Sequence, residues 1–563
     1  MNYYRKNHTL ILFPFLLATI VGLLLASTSV LQFASASTPV SLENATLVTP
    51  NQIAAGGPIP PNYTLAQQEA ECIAGKYNAP WYPTMNGYER GNGNRTGLFE
   101  CATFTGSLTD PNQVYAYRSH DLYYTPSIMI TNGINEIYVL GGSQSNSDPI
   151  PTSTYVARVE PGTLKELWRT VLVNQNMSNL WTGVGTLENI DGYLYAQANA
   201  YLYKLNSTTG NVEEMITLPS GSSLPSDIYF NGMGGWPDGT LVMKNLAREN
   251  GCDLQGFNAV IKCPGNASTL VAVDSNTLEI LDWEELDQLI GGRVTATQYN
   301  GTNYVYLPGT ADMYRYIWDG QNLTQDESWG PVSYLLPNQT AASACGIMHD
   351  WVICQTNGGS PTNVPVSVFA ISQANASKIT RIEPMPLEPG QVSYIPSIPS
   401  FDPINNRIYT MDPGPGKVAA VDLDPETGNM TLAWSVDQRT PEWTILIGPA
   451  DQRVLVGTNI KTNITNPLDY FAGPIGANYE EQILWREADT GKLLAASDYF
   501  SPMIPLFQMW PGYGGLIYEG LNDGHIMTLK VLPSATNATS TANMTSTTTT
   551  STAAGQNSTS GAG

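Results

Sequence analysis

Few side chains in this sequence are equipped for chemistry. It has four histidines, and the three beyond the first 36 residues each stand near a carboxylate: His120 before Asp121, His349 before Asp350, and Asp523 two residues before His525. Imidazole and carboxylate together suit a metal site or a general acid–base pair. These six are the candidate catalytic residues if the fold gathers their loops, and three polar turns if it does not. A second acidic group, Asp282, Glu284, Glu285 and Asp287, fits a calcium site. It fits equally the exposed face of a helix over residues 282–290, with Asp282 as N-cap, Glu285 closing a capping box and Gly291 ending it. No Gly-x-Ser-x-Gly elbow, phosphate-binding loop or Cys-x-x-Cys-His haem attachment occurs. The sequence names no cofactor.

The termini and the cysteines place this chemistry outside the cytoplasm. Arg5 and Lys6 precede an uncharged apolar run over residues 10–25, and Ala34-Ser35-Ala36 has the small residues of a cleavage site. Residues 1–36 are a signal peptide or, because the apolar stretch is long enough to span a bilayer, an uncleaved N-terminal anchor. That anchor would be the chain's only hold on a membrane, and either way the rest is exported. Six cysteines, none in a Cys-x-x-Cys pair, read as disulfides. Their spacing pairs Cys252 with Cys263 and Cys345 with Cys354, which leaves Cys72 with Cys101.

Sequons at Asn44, Asn62, Asn94, Asn176, Asn206, Asn266, Asn300, Asn322, Asn338, Asn375, Asn429 and Asn463 are expected to carry glycans on solvent-facing loops. More follow at Asn537, Asn543 and Asn557 in a tail, residues 534–563, that is almost entirely Ser, Thr, Asn, Ala and Gly. Such a composition cannot build a core and reads as a disordered stalk. Charged residues make up 13% of the chain and the formal net charge is -23. A field of that sign repels phosphate backbones, so nucleic acid is excluded as a partner.

The elements that must position these residues are strands. Between residues 114 and 533 a short run rich in Tyr and β-branched residues recurs about every 50 residues, beginning at Glu136, Gly192, Gly239, Asn303, Asp350, Asn406, Gln452 and Gly515. A second strand follows most of them and ends in a polar turn. Residues 202–206 lead to Thr209-Gly210-Asn211, residues 418–422 to Thr427-Gly428-Asn429 and Trp434, and residues 483–487 to Asp489-Thr490-Gly491. In each, an acidic or amide side chain caps the turn and Gly takes the positive φ.

Strand, strand, capped hairpin and strand, repeated at this interval, is the pattern of a β-propeller blade. With Trp434 and the turns at 427–429 and 489–491, the repeat resembles that of the quinoprotein-dehydrogenase-like (PQQ-repeat-like) propeller superfamily over about three quarters of the chain. The expected fold is all-β: one propeller of seven or eight blades, eight preferred, over residues 111–533, with residues 37–110 packed on it as a disulfide-bonded extension. Two β-sandwiches are the alternative. The resemblance implies fold rather than activity. A quinone-dependent dehydrogenase would be expected to have adjacent cysteines, and this chain has none.

The functional expectation is an extracytoplasmic, glycosylated surface or secreted module that binds a protein or glycan of the cell envelope. The alternative is an exported enzyme with its site on the propeller axis, either a metal-dependent hydrolase or lactonase or a quinoprotein-like oxidoreductase.

Overall fold

A computed structural model describes residues 64–73, 84–123, 126–142, 153–173, 186–188, 192–252, 263–441, 443–461, 479–501 and 509–534. The export segment, the Ser/Thr tail, and Asn44, Asn62, Asn176 and Asn463 lie outside them.

The strands form eight sheets of four or five. Each run picked out in the sequence is the second strand of its own sheet: Ile137–Gly141, Tyr193–Ala198, Thr240–Arg248, Thr302–Pro308, Trp351–Gln355, Arg407–Asp412, Val454–Lys461 and Leu516–Gly520. These strands are apolar almost throughout because both faces of a blade pack against neighbouring blades. Burial follows suit, with every residue of Ile137–Gly141, Trp351–Gln355 and Leu516–Gly520 buried.

Seven apolar clusters fill the spaces between successive sheets. One joins blade 1 to blade 2 and also to Trp510 and Tyr518 of blade 8, so the series closes into an eight-bladed ring. Backbone hydrogen bonding between the two ends of the propeller also closes the ring. Asn112–Arg118 is the outermost strand of blade 8 and pairs antiparallel with the C-terminal Ile526–Pro533, Val114 opposite Val531.

The capped turns between third and fourth strands form as the sequence implies. Asn206, Asp274, Asp319 and Asp424 each accept two backbone N–H bonds from residues two and three further on. The turns at Gly428 and Gly210 also seat the preceding blade. A Cβ added at Gly428 (φ +74°) would lie 2.3 Å from the Trp351 ring, and one at Gly210 would lie 2.5 Å from Trp168. Trp351 and Trp434 donate their indole N–H to the backbone of the next blade, at Pro425 and Ala488.

One expectation is corrected. Residues 282–290 are not helical. Ile280–Glu285 is the outer strand of blade 3, paired with Thr269–Asp274. The capping signal is overridden because Asp282 accepts a bond from the Leu323 amide of blade 4 (2.6 Å), and Glu285 accepts from the Ser222 amide (3.1 Å). The strand sends Asp282 and Glu284 to one side and Glu285 to the other, so the calcium reading of this group falls with the helix.

All three cysteine pairs form as expected: Cys72–Cys101, Cys252–Cys263 and Cys345–Cys354. No helix among the described residues is long and apolar enough to cross a membrane.

Candidate functional site

In an antiparallel blade the second-to-third hairpins lie on the same face as the connections from one blade to the next. The first-to-second and third-to-fourth hairpins lie on the opposite face. His525 is in the second-to-third hairpin of blade 8, and His120 follows that blade's outer strand, so the two share the connection face. His349 is in the first-to-second hairpin of blade 5, on the other face and across the ring.

The three histidines therefore do not converge. His120 is 94% exposed, and its ring meets its neighbour Asp121 (3.2 Å). The His349 ring meets Asn406 Oδ1 at 2.6 Å, and the Asp350 carbonyl accepts from the Gln373 amide. Asp523 and His525 have a structural partner in Arg118, which pairs with the Asp523 carboxylate and contacts His525 Nδ1 at 2.9 Å. Burial acts to raise the Asp523 carboxyl, but hydrogen bonding from His525 and the Arg118 charge hold it below its ordinary range. This trio clips the N-terminal strand to the C-terminal hairpin where the ring closes. Among the described residues no three His, Cys, Asp or Glu side chains gather as a metal set.

The axis holds a different group. The extension was expected to pack on the propeller, and residues 84–99 instead enter the space enclosed by the inner strands. Asn86 exchanges backbone bonds with Thr131 of blade 1. The carbonyls of Asn94, Thr96 and Gly97 accept from Ile347, Phe401 and Leu446 of blades 5, 6 and 7, each at 2.8 Å. Leu98–Phe99 then adds as a parallel strand inside Ile445–Ile447.

Three guanidinium groups and one carboxylate meet there. Glu89 accepts from Arg95 (2.7 Å) and from Arg293 (2.9 Å), with Glu89 and Arg95 essentially unexposed. Arg95 also donates to the carbonyls of Val294 (2.6 Å) and Met233 (3.3 Å). Arg90 is fully buried and has no carboxylate partner among the described residues. It donates to the carbonyls of Thr444 (2.6 Å) and Pro399 (2.8 Å) and to Ser400 Oγ (2.9 Å), and burial pulls its pKa down to about 9. The Trp443 ring lies between Arg90 and Arg293, 5.7 and 4.9 Å from their guanidinium carbons. Packing is close enough that a Cβ at Gly97 (φ +63°) would sit 2.2 Å from an Arg90 nitrogen.

The alternative reading as a quinoprotein-like oxidoreductase would place a quinone on the axis, and these residues do not fit one. Most guanidinium donors there are engaged by the chain's own carbonyls, by Ser400 and by Glu89, with Arg90 Nε left unbonded, and the backbone of residues 84–99 fills the space.

Sequence reading missed Glu89, Arg90 and Arg95. Their only signal was two arginines in a glycine-rich stretch of a chain poor in charge. The same segment corrects one glycosylation expectation. Asn94 is not on a solvent-facing loop but on the axis, its Oδ1 bonded by Thr297 Oγ1 (2.7 Å). Asn300, Asn322, Asn338, Asn375 and Asn429 are exposed, and Asn206 and Asn266 are half-buried.

No protein-family model matches the chain, and no curated protein does. Among solved structures, the quinohemoprotein alcohol dehydrogenase of Comamonas testosteroni is similar with a TM-score of 0.50 and 12% identity, over 85% of this chain and 84% of that one. A europium-containing methanol dehydrogenase gives a TM-score of 0.47 and 8% identity over 79% and 97%. BamB from Moraxella catarrhalis gives 0.41 and 11% over 73% and 100%. The likeness to the first of these is one of fold, and in fold this chain is an eight-bladed β-propeller.

Proposed function

We propose that the chain works outside the cytoplasm as a binding or scaffold propeller at the cell surface, engaging a protein or glycan of the envelope, and not as an axial-site enzyme. The observation that carries this reading is the filled axis, where Arg90, Arg95 and Glu89 stand at the place an enzyme of this fold would need for its cofactor. The three disulfides suit an oxidising compartment. Exposed sequons on the turns are positioned as glycan acceptors must be. Leu167 and Val171 of blade 1, Val212 and Met215 of blade 2 and Trp283 of blade 3 are exposed on neighbouring outer strands, which favours a protein partner on that flank.

The test is made on the full chain from an exporting host. Incubated with pyrroloquinoline quinone and calcium and then desalted, it is expected to retain no quinone absorbance and to reduce no dye with alcohols. Photo-cross-linkers at Val171 and Met215 are expected to give a discrete protein adduct on intact cells. One retained quinone per chain with alcohol-dependent dye reduction, or the absence of any adduct, would overturn the proposal.

A further inference from the structure

Five sequon asparagines open on one face of the ring. Asn206 ends the third strand of blade 2, and Asn322, Asn375 and Asn429 lie between the third and fourth strands of blades 4, 5 and 6. Asn300 lies between the first and second strands of blade 4. Both kinds of hairpin are on the face opposite the blade connections, the hairpin face. At Asn206 and Asn375 the sequon is itself a capped turn, with Oδ1 accepting from the amides of Thr208 and Thr209 and from that of Ser377.

Glycan transfer uses the amide nitrogen. Nδ2 bonds to the anomeric carbon of a sugar carried on a lipid phosphate, the phosphate leaves with the electron pair of the broken C–O bond, and the amide gives up one proton. That nitrogen must be free and face water. Asn300, Asn322, Asn375 and Asn429 are exposed, and Asn206 is half-buried. Among the described residues no hydrogen bond holds Nδ2 of Asn206, Asn300, Asn375 or Asn429, and that of Asn322 has one long contact, to Asp319 (3.4 Å). Two other sequons are blocked. Asn266 Nδ2 donates to Ser223 Oγ (3.2 Å) and to the Arg248 carbonyl (3.1 Å), and Asn94 is on the axis. Asn338 is exposed but belongs to the connection from blade 4 to blade 5, on the other face.

Blades 8 and 1 are covered on the hairpin face in another way. The helix Leu65–Ile73 lies across their first-to-second hairpins, Gln68 Oε1 accepting from Gly514 (2.9 Å) and Glu69 Oε1 from Ile134 (2.8 Å). The Cys72–Cys101 disulfide ties it down.

We infer that Asn206, Asn300, Asn322, Asn375 and Asn429 carry N-linked glycans that sheath the hairpin face from blade 2 to blade 6 and close it to protein partners, which dock on the flank of blades 1 to 3. A bulky, solubilising sugar cannot be buried in a protein interface. The inference rests on the reading of the chain as an exported surface module.

Intact glycopeptide mass spectrometry of the full chain, secreted by a host that modifies Asn-x-Ser/Thr, tests the assignment site by site. Glycan is expected on these five asparagines and on Asn338, and none on Asn94 or Asn266. Asn322→Gln and Asn429→Gln are each expected to lose one glycan mass and to keep the wild-type thermal midpoint. A photo-cross-linker at Gln321 or Glu426, beside these glycans, is expected to give no protein adduct on cells where the one at Met215 does. Bare Asn322 and Asn429 in a chain glycosylated elsewhere, glycan on Asn266 or Asn94, or an adduct at Gln321 as strong as at Met215 would each overturn the sheathed face and leave the surface-module reading standing. That reading fails separately, on bound quinone or a missing Met215 adduct, and the glycopeptide map is then decided on its own sites.

Discussion

Glu89→Ala is expected to lower the stability of the folded chain by about 3–5 kcal/mol, the cost of removing one partner from a buried ion pair. Among the described residues Glu89 is the one carboxylate bonded to Arg95 and Arg293, and its own exposure is near zero. Without it the two guanidinium groups keep only carbonyl and aromatic partners, beside an Arg90 that has no ion pair among the described residues. The damage is local to the axis but acts on the ring, because Arg95 also bonds the backbone at Met233 and Val294 of blades 3 and 4. Glu89→Gln keeps an acceptor and is expected to lose less. Thermal and denaturant midpoints of the full oxidised chain measure both. The control is Glu213→Ala, an exposed glutamate on the outer strand of blade 2, where a change within about 0.5 kcal/mol is expected. A Glu89→Ala midpoint equal to that control would contradict a buried axial ion pair.

The second large effect is at the blade-to-blade seat. Gly428→Ala incurs two costs: about 1–2 kcal/mol for a side chain at φ +74°, and about 1–3 kcal/mol for a Cβ driven into the Trp351 ring. Gly320→Ala incurs only the first, since φ there is +96° and nothing lies within 4 Å of the added atom. The order of destabilisation is expected to follow the distances from the new Cβ to the docked tryptophan. Gly428 at 2.3 Å and Gly210 at 2.5 Å should cost most, Gly491 at 3.0 Å less, and Gly320 least. Equal losses at Gly428 and Gly320 would mean that the turn needs glycine for its backbone alone and that the tryptophan does not seat there.

What could be read from the sequence and what could not divide along one physical line. The second strands and capped turns are local patterns: alternation, an Asx side chain and a glycine within ten residues specify them. Eight copies then dictate a ring, because each sheet has two apolar faces to bury. The misread helix at 282–290 is also a local pattern, but there pairing with Thr269–Asp274 outweighed a capping box. Histidine placement failed for a different reason. Whether His349 and His525 share a face depends on which hairpin of a blade each occupies, and that count becomes visible only when inner and outer strands are told apart. The axial residues were the least legible. Arg90 bonds Pro399 and Thr444, 309 and 354 residues away, and no local signal marks a glycine-rich stretch as bound for the centre of a ring that closes 400 residues later.

The occupied axis is tested most directly by amide hydrogen exchange on the full chain with its disulfides intact. The amides of Ile347, Phe401 and Leu446 bond to carbonyls of residues 94–97, and those of Arg95 and Gly97 bond within the segment itself. All five are expected to exchange as slowly as the buried second strand Val454–Lys461. Rapid exchange at these five positions while Val454–Lys461 stays protected would show that residues 84–99 do not fill the propeller, and the case against an axial cofactor would fail with it.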